Sequence, residues 1–199
     1  MFDPLQPTLR QRFDKGEAVG VIWLVLGSPA LVEIAGRSRP DAIVLDFQHG
    51  LWDRLSLESA IGAVPSRIPV LVRVAENTPQ AIGHALDAGA EGVIVPLVES
   101  AQQARNAVKA ARYPPIGMRS SGGVRPMADF PAYVDGARRG IVVCVMIETA
   151  RGVRNAREIA AVAGVDLVFI GPGDLSLSLG AFPRPDRRLE DAYAAVRKA

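Results

Sequence analysis

Residues 141–148 read IVVCVMIE, seven apolar side chains in an unbroken row followed by a glutamate. A strand with one wet face alternates apolar and polar residues, whereas a strand covered on both faces is apolar throughout. The run therefore predicts a buried strand of a parallel sheet. Similar runs, rich in Val, Ile and Leu, recur along the chain at 18–26, 41–47, 69–74, 92–98 and 167–172.

Helix-forming segments separate these runs. The clearest are 78–88, 100–111 and 151–163, and each opens near a Ser, Thr or Pro, as helix starts prefer. Strand–helix alternation with short links predicts an α/β fold. We favour a closed (β/α) barrel over an open doubly wound sheet, because no G-x-G-x-x-G turn follows the first strand.

Polar residues near the C-terminal ends of the predicted strands also favour a barrel. A barrel assembles its active site from the ends of several strands, whereas an open sheet concentrates such residues at one crevice. The residues in question are Trp23, Asp46, His49, Arg73, Glu148 and Asp174.

The length of the chain raises a difficulty for a complete barrel. An eight-stranded TIM barrel typically needs about 250 residues, and only six strands are legible before the chain ends in a helical pattern at 186–199. We therefore expect a TIM (β/α)8-type barrel truncated after its sixth strand–helix unit, a single domain over 1–199 without strands 7 and 8. A fragment is favoured over completion by another chain. Open strand edges predict that 1–199 alone aggregates or associates.

Charge and composition exclude several classes of function. The chain has 23 basic and 21 acidic residues, scattered along its length, which argues against nucleic-acid or membrane partners. Neither a signal peptide at the start nor an apolar stretch of about 18 residues is recognisable. We expect a soluble cytoplasmic protein, in which Cys144, the single cysteine, is a buried structural thiol.

The pair Asp46 and His49 is a candidate for acid–base chemistry. At this spacing the carboxylate is expected to orient one imidazole nitrogen and leave the other as a general base. A structural histidine bonded to a nearby carbonyl is the alternative. His84 lies within a predicted helix and is expected to be solvated or to pack.

Glu148 and Asp174 are candidates for metal binding. Two carboxylates at neighbouring apolar strand ends can ligate one hard divalent cation, although pairing with arginine or helix capping would also explain them. Arg73 is expected to hold a carboxylate or enolate oxygen, or else to form a buried ion pair. A metal, a base and an arginine together suit proton abstraction or carbon–carbon cleavage beside a carbonyl.

Six motifs then occur in a familiar order, and the match runs from about residue 18 to 182. They are GVIWLVLGSP, VLDFQHG, VLVRV, YPPIGMRSSG, MIET and FIGPGDLSLSLG. In these the chain resembles the HpcH/HpaI aldolase/citrate lyase family, specifically its class II pyruvate aldolases of the 4-hydroxy-2-oxo-heptane-1,7-dioate aldolase kind. The resemblance implies a lyase dependent on Mg²⁺, Mn²⁺ or Co²⁺ that cleaves 4-hydroxy-2-oxo acids to pyruvate and an aldehyde.

The resemblance also implies a role for each matching residue. His49 would be the acid/base group with Asp46 as its partner, and Arg73 would bind pyruvate. Glu148 and Asp174 would hold the metal. The substrate would further contact Trp23, Asp174 and the Gly173 backbone amide. The resemblance also implies a homo-oligomer, a hexamer in full-length relatives.

Two positions depart from the family pattern. Met146 stands where some members have glutamine, which puts one polar substrate contact in doubt, and Gln48 replaces a glutamate. Two other interpretations stay open. One is a CoA-thioester lyase of the same superfamily, against which the D-x-x-H-G motif argues because those relatives lack it. The other is an inactive binding or oligomerisation module. The segment 112–140 is expected to lie at the C-terminal side of the strands, with Arg119 and Arg125 either solvated or facing a second substrate carboxylate.

Overall fold

The computed structural model describes residues 7–199, and its centre is one parallel sheet of six strands in chain order. Each strand pairs with the next one along the chain, so the predicted parallel α/β fold is confirmed. The strands are β1 (Val21–Leu24), β2 (Ala42–Asp46), β3 (Val70–Arg73), β4 (Gly92–Val95), β5 (Val142–Ile147) and β6 (Leu167–Ile170).

The sheet curls into a half-barrel. The indole of Trp23 on β1 and the ring of Phe169 on β6 lie 5.4 Å apart between centroids. Neighbouring strands are separated by about 4.8 Å, so the first and last of six strands in a flat sheet would be too far apart for such a contact. Across residues 7–199, β1 and β6 each pair on one side only.

Helices cover the outer face of the sheet and link its strands. Most are capped by a Ser, Thr or Asp whose side chain accepts a bond from the first turn, as at Thr78, Ser100 and Thr149. The helices are α1 (Leu9–Asp14), α2 (Pro29–Arg37), α3 (Arg54–Ala63), α4 (Pro79–Asp87), α5 (Ala101–Ala111), α6 (Val124–Met127), α7 (Phe130–Gly140), α8 (Ala150–Arg154), α9 (Ala156–Ala160), α10 (Pro172–Ser178) and α11 (Arg187–Lys198).

Alternate residues of each strand point to opposite faces of the sheet. On β5, the side chains of Val142, Cys144 and Met146 join the cluster inside the curl. Val143 and the other odd-numbered residues of the strand join the larger cluster beneath the helices. Both faces are therefore apolar, which explains the unbroken apolar run in the sequence.

The N-terminal end of the half-barrel is closed by α1. Leu9 is 2% exposed and packs within the inner cluster. Arg10 lies 2.9 Å from the Asp166 carboxylate, and Arg112 donates a bond of 3.2 Å to the same group. The two arginines thus tie α1 and the end of α5 to the residue that precedes β6.

Two parts of the sequence-based prediction are wrong. The helix expected over 151–163 is two short helices that divide at Asn155. The segment 112–140 lies at the N-terminal side of the strands, because it follows a helix that runs antiparallel to them. Arg119 in this segment bonds Asp87, at the end of α4.

Neither Arg119 nor Arg125 faces the predicted site. Arg119 is 4% exposed, and its guanidinium stacks on the rings of Tyr113 and Tyr133. Arg125 donates a bond to the carbonyl oxygen of Glu58, on α3. Both side chains therefore hold this segment against the helices, and neither is a solvated loop arginine.

No helix in the described part of the chain has the length and apolar character needed to cross a bilayer. His84 is exposed on α4, as expected for a solvated residue.

Cys144 should be chemically inert in the folded protein. Its side chain is fully buried, and burial, followed by the negative charge of Asp166, raises the pKa of the thiol. We expect no reaction with a thiol-specific disulfide reagent under native conditions, and one thiol per chain after denaturation in guanidinium. Rapid labelling of the folded protein would show that the inner cluster opens readily.

Candidate active site

A cavity of about 450 Å³ lies at the C-terminal ends of the strands. It receives residues from β1, β3, β5 and β6, from the turns that follow β2 and β5, and from α10 and the residues on either side of it. Every predicted site residue except Asp46 lines it. The lining residues are Trp23, His49, Arg73, Met146, Glu148, Phe169, Gly171, Pro172, Gly173, Asp174, Leu177 and Phe182.

Asp46 lies behind the cavity wall, 1% exposed, as the last residue of β2. Arg73 is its register partner on β3, and its guanidinium donates to both carboxylate oxygens, from Nε at 2.8 Å and from a terminal nitrogen. Trp23 donates from Nε1 at 3.2 Å. Burial alone would raise the pKa of Asp46, but the bonds from Arg73, the His49 backbone and Trp23 outweigh it and hold the pKa below its usual range.

His49 is exposed at the wall of the cavity, in the turn after β2. The Asp46 carboxylate accepts a bond of 3.1 Å from the backbone N–H of His49, and another from that of Gln48. The expected contact between the Asp46 carboxylate and the imidazole is not formed. Asp46 thus fixes the backbone of the turn that carries the histidine. The imidazole ring itself makes no hydrogen bond to the described residues 7–199.

Arg73 forms the buried ion pair that its sequence position suggested, and it also lines the cavity. Its ion pair with Asp46 is buried, and its guanidinium also lies 5.3 Å from the centroid of the Trp23 ring. The same side chain lines the cavity, where its remaining N–H groups are available to an oxygen of a bound ligand.

Glu148 follows β5 on the face that points into the curl, two residues beyond Met146, and is 2% exposed. Its Oε1 accepts a bond of 2.7 Å from the backbone N–H of Leu97. Burial is the largest influence on its carboxyl and raises the pKa, and the nearby charge of Asp174 acts in the same direction against the Leu97 bond and Arg73. A carboxylate under these conditions is stabilised by a cation.

Asp174 stands in the first turn of α10 and is exposed to the cavity. Together with Glu148 it supplies two carboxylates, the number that commonly anchors Mg²⁺ while waters and substrate oxygens complete the octahedron. The described residues contain no cluster of three or more His, Cys, Asp or Glu side chains arranged around one metal position. The carboxylate oxygens of Glu148 and Asp174 are of the kind that a hard divalent cation prefers as ligands.

Sequence reasoning missed three features of this site. Leu97 has a φ of 55°, and no local sequence signal marked its backbone as a partner of Glu148. Gly171 approaches Glu148 so closely that a Cβ there would lie 2.6 Å from Oε2. Phe169 forms part of the apolar floor with Trp23 and Met146, and the inward periodicity of β6 would have located it.

A parallel half-barrel with a histidine, an arginine and two carboxylates at its C-terminal end defines a (β/α)-barrel protein with an enzyme-like site. The sequence model of the HpcH/HpaI aldolase/citrate lyase family matches residues 20–199, and the chain belongs to this family.

Individual relatives agree with this assignment. The chain is 38% identical over 162 residues to a 4-hydroxy-2-oxovalerate aldolase from Novosphingobium aromaticivorans, covering 79% of this chain and 62% of that protein. It is 35% identical to a hydroxypyruvate/pyruvate aldolase from Pseudomonas aeruginosa, covering 96% of this chain and 75% of that protein. The crystal structure of a family member from Burkholderia cenocepacia J2315 superposes with a TM-score of 0.89 at 34% identity, covering 94% of this chain and 78% of the other.

The close approach of Gly171 to Glu148 generates a test of the site geometry. In Gly171→Ala the new methyl group must displace the Glu148 carboxylate, so we expect Mn²⁺ affinity to fall by about tenfold or more, the scale seen when groups that orient metal ligands are lost. Isothermal titration calorimetry measures the affinity. Gly83→Ala is the matched control, because a Cβ at that helical position meets nothing within 4 Å. Equal affinities in both variants would contradict the proposed geometry.

Proposed function

We propose that the chain carries the active site of a class II pyruvate aldolase, a carbon–carbon lyase that cleaves 4-hydroxy-2-oxo acids to pyruvate and an aldehyde. The observation that carries this proposal is the grouping of Arg73, His49 and the two carboxylates around one cavity. The names of the relatives from N. aromaticivorans and P. aeruginosa, both aldolases, support the same reaction class.

Glu148 and Asp174 would hold a divalent cation, Mg²⁺, Mn²⁺ or Co²⁺. When bound, the cation polarises the 2-oxo group of the substrate and offsets the negative charge of the enolate. The rest of the cavity orients the substrate. The backbone amide of Gly173 lies at the start of α10 beside Asp174, in a position to donate to the substrate carboxylate, and the Trp23 ring forms part of the apolar floor.

Arg73 would stabilise charge that develops on the substrate oxygen. Its orientation is set before substrate arrives, because Asp46 and the Trp23 ring hold the guanidinium from two directions. A donor fixed in this way does not have to reorganise as the enolate forms, which is the origin of electrostatic stabilisation in active sites.

His49 would act as the acid/base group. In the cleavage direction it removes the proton from the C4 hydroxyl, the C3–C4 bond breaks, and the electron pair passes through C3 into the 2-oxo group. The products are the aldehyde and the enolate, and the enolate becomes pyruvate when C3 is protonated. The imidazole is exposed to the cavity and has no hydrogen bond to the described residues, so both nitrogens are accessible for this transfer.

Association of several copies is the expected working state. Leu51, Leu55 and Val124 are apolar side chains that are 75%, 74% and 89% exposed. A homo-oligomer that covers them would fit these exposures, and the substrate would remain a small 2-oxo acid.

The metal assignment predicts that Glu148→Gln and Asp174→Asn each greatly weaken Mn²⁺ binding and abolish divalent-ion dependence. Each change removes one of two anionic ligands while nearly preserving volume. Calorimetric titration gives the affinity, and activity is followed after chelation and metal addition. Glu33→Gln is the control, because Glu33 is an exposed carboxylate paired with Arg37 on α2. Unchanged affinity in both cavity variants would remove the assignment.

The base assignment predicts that His49→Ala lowers aldol cleavage by about a hundredfold or more. Pyruvate binding in the presence of metal should largely survive, because Arg73 and the carboxylate pair remain. Coupled detection of pyruvate measures cleavage, and the chain's second histidine provides the control variant, His84→Ala on the exposed face of α4. A parallel loss of pyruvate binding and turnover in His49→Ala would indicate a structural histidine.

A separate assay distinguishes the alternative function. If the unaltered chain cleaves a malyl-type thioester instead of a 4-hydroxy-2-oxo acid, it is a CoA-thioester lyase.

A further inference from the structure

The loop between β4 and α5, residues 96–100, is in direct contact with the segment that carries Glu148. The backbone N–H of Leu97 donates to Glu148 Oε1 at 2.7 Å, and that of Val98 donates to the Met146 carbonyl at 3.1 Å. One residue further, the Glu99 carboxylate accepts a bond of 2.7 Å from the Thr149 hydroxyl. Three consecutive loop residues therefore bond to β5 or to the two residues that follow it.

Leu97 shows that this contact is made at a conformational cost. Its φ of 55° lies in the left-handed region, which a side chain with a Cβ rarely adopts, and its side chain is 50% exposed. Packing of the leucine side chain therefore does not explain the backbone conformation. This conformation directs the backbone N–H of Leu97 at the buried carboxylate of Glu148. Hydrogen bonds to an ionised group are among the stronger hydrogen bonds in proteins.

The two oxygens of Glu148 are consequently not equivalent. Oε1 is engaged by Leu97, whereas Oε2 lies on the side of Gly171, where a Cβ would be only 2.6 Å away. That side of the carboxylate faces the cavity wall that leads to Asp174. A carboxylate with one oxygen held by the protein offers the other to a cation in a fixed direction.

Glu99 secures the loop through further bonds. Its backbone carbonyl accepts a bond of 2.7 Å from the Asn155 side chain, and its backbone N–H donates to Gln103 Oε1 at 2.7 Å. Arg151 lies 3.9 Å from its carboxylate but is largely exposed, so solvent screens this ion pair. The Thr149 hydroxyl is the contact that links Glu99 to the residue next to Glu148.

We propose that the loop 96–100 is a positioning element for the metal-binding carboxylate, with Glu99 as a positioning residue that acts through Thr149 and with the Leu97 backbone N–H fixing Oε1 of Glu148. The inference rests on the proposed role of Glu148 in holding the cation. It adds a residue that touches neither cation nor substrate and yet controls how tightly the site takes a divalent ion.

The test compares Mn²⁺ affinity and thermal melting in Glu99→Ala, Glu99→Gln and Asn77→Ala. Removing the Thr149 contact in Glu99→Ala should weaken Mn²⁺ binding by about tenfold or more, the range found for groups that orient metal ligands. Glu99→Gln should bind Mn²⁺ like the unaltered chain, because its amide oxygen still accepts from the hydroxyl. Asn77→Ala is the control, since it removes a bond from a neighbouring loop to α5 and leaves the Glu148 segment alone.

Three results would overturn the inference. They are unchanged affinity in Glu99→Ala, equal weakening in Glu99→Ala and Asn77→Ala, and equal weakening in both Glu99 variants. If Glu99→Ala does not fold, the pair Thr149→Ser and Thr149→Val replaces it, because only the serine keeps the hydroxyl; Thr78→Val on α4 is the control for the helix cap that Thr149→Val also loses. Affinity that is also insensitive to Glu148→Gln would instead refute the proposed metal role, so the two failures are distinguishable.

Discussion

Trp23 and Phe169 touch across the inside of the sheet although five strand pairings separate them along it. The contact depends on the curvature of the sheet, and the site depends on that curvature in turn. Strand ends that a flat sheet would spread along a line are brought around one cavity, so Arg73 from the third strand faces Glu148 beyond the fifth. Curvature also gives the sheet an inner face too small for helices, which is why side chains alone fill it.

Asp46 shows how a buried charge organises this end of the molecule. An isolated carboxylate in such surroundings would be strongly disfavoured, but Arg73, Trp23 and the backbone of the following turn all donate to it. The carboxylate thereby sets the direction of the arginine, the indole and the histidine-bearing turn at once. The carboxylate arranges these neighbours from behind the cavity wall and does not itself line the cavity.

Much of this architecture could be predicted from local sequence. Strands covered on both faces are recognisable as apolar runs, and period-two alternation places Glu148 on the same face as Met146. Contacts between distant segments were not predictable in this way. The pairing of Leu97 with Glu148 joins residues 51 apart and needs a left-handed backbone that no glycine or asparagine signals. Likewise, the spacing of Asp46 and His49 suggested a contact to the ring, whereas the turn geometry directs the backbone N–H to the carboxylate.

The Asp166 carboxylate, shared by Arg10 and Arg112, closes the half-barrel at the end opposite the cavity. The residues that close the half-barrel and the residues that line the cavity therefore lie at opposite ends of the same strands. Selection can act on the loops around the cavity without disturbing the residues that close the other end, and drift at that end need not alter the chemistry. Such a division allows related chains to diversify in substrate while they retain one framework.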